Sequence, residues 1–318
     1  MRLSKIKVIH HSDTSCFKPI KEFLDDKYIA HYDKPERVNS ILASIVASPD
    51  LDIVDAKGSG VDPSMVHSSS LINRFSQSVS LTEEILSNVK NRDPLCLDSY
   101  TPLNNKLSNS LNASLSITNE ALVQYLEGNN TYALTRPPGH HSSESTYGGY
   151  CYYNYAGLAA QALSKHGTVA ILDIDFHHGN GTQDIFYKRN DVMTVSIHAD
   201  PKKHFPHTGY ESEKGEYLGS GFNMNIVLED NTGITVYQTA LLKALKAIKK
   251  FDPDYLVIPY GADTYIDDPL GSFQLNTVDY RTIAKLISRE FDSVLIFQEG
   301  GYHVEDLGKN VVSFLSGF

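Results

Sequence analysis

One stretch near the middle of the chain constrains the fold more than any other. The short apolar run Thr168-Val169-Ala170-Ile171-Leu172 empties directly into Asp173-Ile174-Asp175-Phe176-His177-His178-Gly179-Asn180-Gly181-Thr182-Gln183. A β-branched run of that length, closed off by glycines, is the pattern of a strand buried on both faces, and such strands belong to parallel sheets. Strand side chains alternate between faces, so this reading puts Asp173, Asp175 and His177 on one side and Ile174 and Phe176 on the other. Two carboxylates and an imidazole then converge at the strand's carboxyl end, where hard oxygen and borderline nitrogen ligands together suit a divalent metal such as zinc. A lone Asp-x-His is more often a solvent-facing strand end; three polar residues in register weigh against that here.

The flanking sequence repeats the same unit. A strand is expected over residues 5–11 and a helix opening at Pro35-Glu36-Arg37, with Val38, Ile41, Leu42, Ile45 and Val46 at helical spacing and Arg37 read as a surface charge. Residues 12–33 lack a period and read as a loop near the rim of a site. Residues 62–119 are rich in Ser, Asn and Leu, with short helices broken at Pro94 and Pro102. From residue 131 the order is regular: strand 131–135, helix 154–165, the opening strand, strand 192–198, helix 236–250, strand 255–261, helix 277–290 and strand 293–298. Strand and helix alternate without a linker, which predicts one α/β domain over residues 1–318, with a central, mostly parallel sheet flanked by helices and ligands at the carboxyl ends of its strands.

Four of these strands end in chemically loaded loops: His140-His141 after Arg136-Pro137-Pro138-Gly139, the Asp173 to Asn180 stretch, Gly261-Ala262-Asp263-Thr264, and Glu299-Gly300-Gly301-Tyr302. Asp263 is placed to supply a third metal ligand beside Asp175 and His177, and three protein ligands leave one zinc position open. By itself it would be a turn or cap residue. Adjacent histidines held by prolines are poor core residues and good general acids or bases, since imidazole titrates near neutral pH. Tyr302, after two glycines, can bring a hydroxyl to a substrate carbonyl from the side opposite the metal.

Composition narrows the partners. Of the 318 residues, 38 are acidic and 28 basic, a net charge of −10 that disfavours nucleic acid and suits a cationic ligand. Cys16, Cys96 and Cys151 are too scattered for a disulfide framework or a cysteine zinc site. The first residues lack the apolar core of a signal peptide and no run is long enough to span a membrane, so a cytoplasmic protein is expected.

Taken in order, Arg-Pro-Pro-Gly-His-His, Asp-Ile-Asp-Phe-His-His-Gly-Asn-Gly-Thr-Gln, Gly-Ala-Asp-Thr and Glu-Gly-Gly-Tyr resemble the zinc-dependent histone deacetylase and acetylpolyamine amidohydrolase family. The likeness runs from about residue 131 to the end and only loosely before it. It is nearest to bacterial acetylpolyamine amidohydrolases at Gly148-Gly149-Tyr150-Cys151, at residues 181–187 and at residues 299–310. The resemblance implies an arginase-like fold and one catalytic zinc on Asp175, His177 and Asp263. His141 would be general base and then acid, His140 paired with Asp173 an electrostatic partner, and Tyr302 the donor to the oxyanion. Asn180 matches the residue that bonds His141, where some members carry Asp, which leaves His141 a weaker base. The resemblance also implies one or two structural potassium ions, the first on Asp173, Asp175, His177, Ser196 and Ile197, the second on the carbonyls of Phe186, Arg189 and Val192.

At the rim, Tyr150 and Phe205, with Gly149 beside them, match the aromatic walls of the family's substrate tunnel. The inserted acidic loop of polyamine-specific members is missing between residues 67 and 112, and Leu270 at the gatekeeper position is apolar. Leu97-Asp98-Ser99-Tyr100-Thr101-Pro102 resembles the segment of lysine deacetylases whose aspartate holds a peptide backbone, which would turn Asp98 to the tunnel mouth. The expected substrate is a small cationic acetylated amine, with a protein acetyl-lysine peptide as the alternative. Two more distant readings are a two-manganese ureohydrolase, for which a second set of bridging ligands is missing, and a non-catalytic acetyl-amine sensor.

Overall fold

The computed structural model describes residues 6–24, 27–85 and 93–318. The strands are β1 (Ile6–His10), β2 (Lys21–Leu24), β3 (Lys27–Ala30), β4 (Leu51–Asp55), β5 (Thr131–Ala133), β6 (Val169–Asp173), β7 (Val192–Ala199), β8 (Asn223–Leu228), β9 (Tyr255–Tyr260) and β10 (Leu295–Gln298). The helices are α1 (Glu36–Val46), α2 (Ser69–Gln77), α3 (Leu107–Leu126), α4 (Tyr155–Leu163), α5 (Asn180–Phe186), α6 (Ile234–Phe251), α7 (Thr277–Ser288) and α8 (Val304–Leu315). Eight strands form one sheet in the order β4-β1-β5-β10-β9-β6-β7-β8, with every neighbouring pair parallel.

Both faces are covered, as a parallel sheet requires. Along β6, Ala170 and Leu172 join the core beneath α1, α6, α7 and α8, while Val169 and Ile171 join the core beneath α3 and α4. Helix boundaries follow local chemistry. The Asn154 side chain accepts the Gly157 N–H at 2.8 Å to start α4, and Asn276 with Asp279 closes a capping box on α7. No helix among the described residues is long and apolar enough to cross a membrane.

This is the α/β architecture expected, and the sheet order explains how the loaded loops meet. They leave β5, β10, β9 and β6, four consecutive strands at the centre of the sheet, so all four open on the same edge. Other expectations are corrected. β6 ends at Asp173, and residues 174–179 are irregular, so strand alternation does not bring Asp175 and His177 together. Residues 12–33 are not one loop, since they carry the antiparallel β2–β3 hairpin. Edge strands β4 and β8 and helices α5 and α8 lie where no element was anticipated. The expected strand start at Lys5 lies outside the described residues.

Candidate active site

Asp173, the last residue of β6, shapes the turn that follows. Its Oδ1 accepts the Asp175 N–H at 3.1 Å, and Asp175 Oδ1 in turn accepts the His177 N–H at 2.9 Å. Consecutive carboxylate caps, in place of a pleat, therefore aim the two side chains. Asp263 enters from the β9 loop: its Oδ1 accepts the Phe176 N–H at 3.0 Å, and its Oδ2 lies 3.0 Å from His177 Nδ1. Asp175 Oδ1 is 3.4 Å from the same nitrogen. Ligand atoms of Asp175, His177 and Asp263 all lie within 4.8 Å of one another. The β10 loop closes on them through Gly300, whose N–H donates to Asp175 Oδ2 at 2.8 Å. A Cβ at Gly300 would stand 2.4 Å from Asp263 Oδ2 and 2.6 Å from Asp175 Oδ2, so glycine is needed for the two carboxylates to approach.

The charges balance only through protons. Burial pushes the His177 imidazolium down, but Asp175 and Asp263 outweigh it and hold the ring up to about 9. Burial and the Asp175 charge push Asp263 upward. Two buried carboxylates facing one imidazolium is an arrangement that a dication satisfies better than a proton, and two oxygens with one nitrogen is a zinc-competent donor set. The other group of ligand-type side chains among the described residues is His140, Cys151 and Glu299. It shares no residue with the triad, although His140 Nε2 lies 3.7 Å from Asp175 Oδ1.

The two histidines have different partners. His140 Nδ1 bonds Asp173 Oδ2 at 3.0 Å; burial opposes its charge, yet Asp175 and Asp173 hold it up to about 10. His141 Nδ1 bonds Asn180 Oδ1 at 2.7 Å, and burial, reinforced by the neighbouring His140 charge, lowers it well below the ordinary imidazole value. One ring is thus kept charged and the other neutral. Because Asn180 Oδ1 can only accept, His141 carries its proton on Nδ1 and leaves Nε2 as a free base.

These groups open on a cavity of about 140 Å³ lined by Tyr100, His141, Gly149, Tyr150, His177, Phe205, Leu270 and Tyr302. The anticipated wall residues Tyr150, Phe205, Gly149 and Leu270 are all present. Gly149 has φ +58°, and a Cβ there would fall 2.3 Å from His141 Cδ2. Residues 31–318 match the histone deacetylase domain.

The chain belongs to the histone deacetylase family. Acetylpolyamine amidohydrolase 2 of Pseudomonas aeruginosa is 44% identical to it over 190 residues, 59% of this chain and 55% of that protein. The acetylpolyamine amidohydrolase of Mycoplana ramosa is 44% identical over 189 residues, 58% of this chain and 55% of that protein. The match spans about half the length of these curated relatives. The crystal structure of acetylpolyamine aminohydrolase from Burkholderia pseudomallei superposes with a TM-score of 0.90 at 32% identity, covering 98% of each chain.

Within this family member, several residues sit differently from the expectation. Asp98 does not turn its carboxylate to the mouth: Oδ1 accepts the Tyr100 and Thr101 N–H groups at 2.9 and 2.8 Å, and Oδ2 accepts the Thr101 hydroxyl at 2.9 Å and the Gly149 N–H at 2.5 Å. Both oxygens are occupied in bracing the tunnel wall. Arg37, read as a surface charge, is buried. It pairs with Asp33 at 2.7 Å, donates to the Gly301 carbonyl at 2.7 Å and stacks 4.7 Å from the Tyr302 ring centre.

Tyr100, Asp268, Glu299 and Glu22 had no place in the sequence reading of the site. Tyr100 lines the cavity, and Glu299 Oε2 accepts the Gly139 and His140 N–H groups at 2.6 and 3.1 Å. Of these, Glu299 stands in the Glu-Gly-Gly-Tyr loop, Tyr100 in the 97–102 segment and Asp268 beside Pro269, whereas Glu22 left no trace in the sequence. Asp173 and Ser196 are register partners across β6 and β7. Both border a small buried gap, with Ile197 next along β7. Phe186 ends α5 and Val192 begins β7. Arg189 lies between them, its N–H donating to the Phe186 carbonyl at 3.0 Å.

Proposed function

We propose that the protein is a zinc-dependent amidohydrolase that cleaves the acetyl amide of small cationic acetylated amines, acetylpolyamines foremost. The observation that carries this is the meeting of a neutral imidazole, a tyrosine and a buried carboxylate–histidine triad at the base of one aromatic-walled cavity. Zinc held by Asp175, His177 and Asp263 would supply Lewis acidity toward the amide carbonyl and the attacking water.

The chain's own groups supply the rest. His141 Nε2 takes a proton from the attacking water and returns it to the departing nitrogen, so that water plus amide gives acetate plus free amine. His140, bonded to Asp173 through Nδ1, stands beside His141 and orients the base of the site. The Tyr302 hydroxyl donates to the carbonyl oxygen as it gains charge, and burial, which raises its pKa well above the ordinary value, keeps that proton available to donate. Tyr150 and Phe205 form a slot for a methylene chain.

The inward-turned Asp98 favours small amines over a peptide, because the group expected to hold a peptide backbone is already saturated. The names borne by the relatives point the same way. The reading extends to one zinc per chain, a single catalytic domain and structural potassium at the two sites set out above. Support for the first potassium site is the pairing of Asp173 with Ser196, which line one small gap.

Zinc-loaded protein should release acetate from acetylputrescine or acetylspermidine faster than from an acetyl-lysine peptide. A preference for the peptide of more than about tenfold, roughly 1.4 kcal/mol, would reverse the substrate order, and no acetate from any of the three would overturn the reading.

A further inference from the structure

Neither position at which an acidic selector for a charged amine was expected carries one. The gatekeeper is Leu270, and the acidic insertion is missing. The cavity wall is nonetheless backed by a carboxylate from the β2–β3 hairpin. Glu22 is fully buried. Its Oε2 accepts the Tyr150 hydroxyl at 2.8 Å, and its Oε1 has no hydrogen-bond partner among the described residues. No cationic side chain among the described residues neutralises it; burial pushes its carboxyl up to about 7, against the Tyr150 hydroxyl bond that favours the anion, so it carries its charge above that pH. His31 Nε2 is 3.8 Å away, but that ring donates to the Tyr100 carbonyl at 3.2 Å and accepts the Asp33 N–H on Nδ1 at 3.0 Å. That pattern belongs to a neutral imidazole. Burial likewise holds His31 down to about 4.

A carboxylate left half-satisfied in the interior is costly, and such groups persist where something answers their charge. Three other acids near the cavity have their charge answered by donors or cations. Asp98 accepts four hydrogen bonds, Asp268 takes backbone N–H groups on both oxygens, and Asp33 pairs with Arg37 and Arg136. Glu22 alone is separated from the cavity by a single phenol ring. Tyr150 is fixed there in a left-handed conformation, φ +65°. Its N–H donates to the Thr101 hydroxyl at 3.0 Å, and its ring packs 5.6 Å from that of Tyr302. A phenol donating to a carboxylate has a more electron-rich face, which strengthens its attraction for a cation.

We propose that Glu22 is the specificity-determining residue of this site, favouring a substrate with a positively charged end by its charge and by its hold on the Tyr150 hydroxyl. This rests on the amidohydrolase reading and names the feature of the amine that the pocket recognises. A unit charge roughly 10 Å from a cation, through an effective dielectric of about 20, is worth about tenfold.

The test compares acetylputrescine with N-pentylacetamide, in which a methyl group replaces the ammonium, on zinc-loaded wild type, Glu22→Gln and Glu22→Asp, at a pH well above 7, where the Glu22 carboxylate is ionised. The ratio of kcat/KM for the charged over the neutral amide should fall about tenfold in Glu22→Gln and recover in part in Glu22→Asp. A purely structural role would lower both substrates together and leave the ratio unchanged, which would overturn the inference. Calorimetric binding of the same two amides to the zinc-free proteins reads the preference without turnover. A protein that binds them with a Glu22-dependent preference yet releases no acetate would sink the amidohydrolase reading and keep Glu22 as a cation selector; equal binding ratios in wild type and Glu22→Gln would sink Glu22 alone.

Discussion

Asp268 Oδ2 accepts the backbone N–H of Tyr302 at 2.6 Å. The same oxygen takes the His303 N–H at 3.1 Å, and Oδ1 takes the Leu270 N–H at 3.0 Å. One buried carboxylate thereby ties the gatekeeper loop to the tyrosine loop, while Arg37 holds the carbonyls of Glu299 and Gly301 on the other side of the same turn. Asp268→Ala should release the Tyr302 turn, lowering stability by about 1–3 kcal/mol for the orphaned donors and kcat by roughly tenfold or more through misplacement of the hydroxyl. Acetate release and thermal unfolding measure both effects, and a wild-type kcat in the folded variant would show that the turn positions itself without Asp268.

Asn180 offers His141 a neutral acceptor. Asp at that position would add a negative charge 2.7 Å from Nδ1, stabilising the imidazolium and raising the His141 pKa. The base must be unprotonated to work, so the acid limb of kcat/KM should move to higher pH in Asn180→Asp, by about one pH unit or 1.4 kcal/mol. A profile superimposable on wild type would mean that the limb belongs to another group.

His67 ties the start of α4 to the tandem-histidine loop. Its Nδ1 donates to the Ser143 carbonyl at 2.7 Å, and its Nε2 accepts the Asn154 N–H at 2.9 Å. Protonation would destroy the second bond, and burial holds the group down to about 4. Unfolded, the ring titrates near 6.5, so the unfolded chain binds the extra proton first. Stability from this group is complete above pH 6.5 and is lost as pH falls toward 4, by roughly 3 kcal/mol in all. His31 and His198, each also held down to about 4 by burial, act over the same window. Denaturant titrations from pH 7 to 4.5 should show a shallower decline in His67→Gln than in wild type, and parallel declines would remove His67 from the account.

What was legible in the sequence was whatever depends on neighbours in the chain. The four strand-end loops could be read because each pairs an apolar run with polar residues directly after it. The amphipathic spacing of Leu307, Val311, Phe314 and Leu315 in α8 carries the same kind of signal. Edge strand β4 gave little to read, since alternate residues face outward and its burial is only partial. Arg37 illustrates the limit: beside Val38 it looks like a helix-surface charge, but the carbonyl of Gly301 that it bonds lies 264 residues away. Glu22 is hidden for the same reason, since Tyr150, 128 residues away, makes its environment.

The triad should bind zinc with release of protons. In the protein without metal, His177 is held up to about 9 by Asp175 and Asp263, and Asp263 is itself pushed upward by burial and by Asp175. A metal must displace the His177 proton to use that nitrogen, so the apparent affinity should rise about tenfold per pH unit for each proton displaced, until pH passes the His177 value. Titration calorimetry at pH 7 in buffers of different ionisation enthalpy should count at least one proton released per zinc, and zinc should raise the melting temperature by mass action. Asp263→Asn removes a ligand and relieves the repulsion with Asp175, so it should stabilise the metal-free protein or leave it unchanged while abolishing the zinc-dependent rise. If Asp263→Asn keeps the full rise and the same proton count, zinc binds elsewhere on the chain.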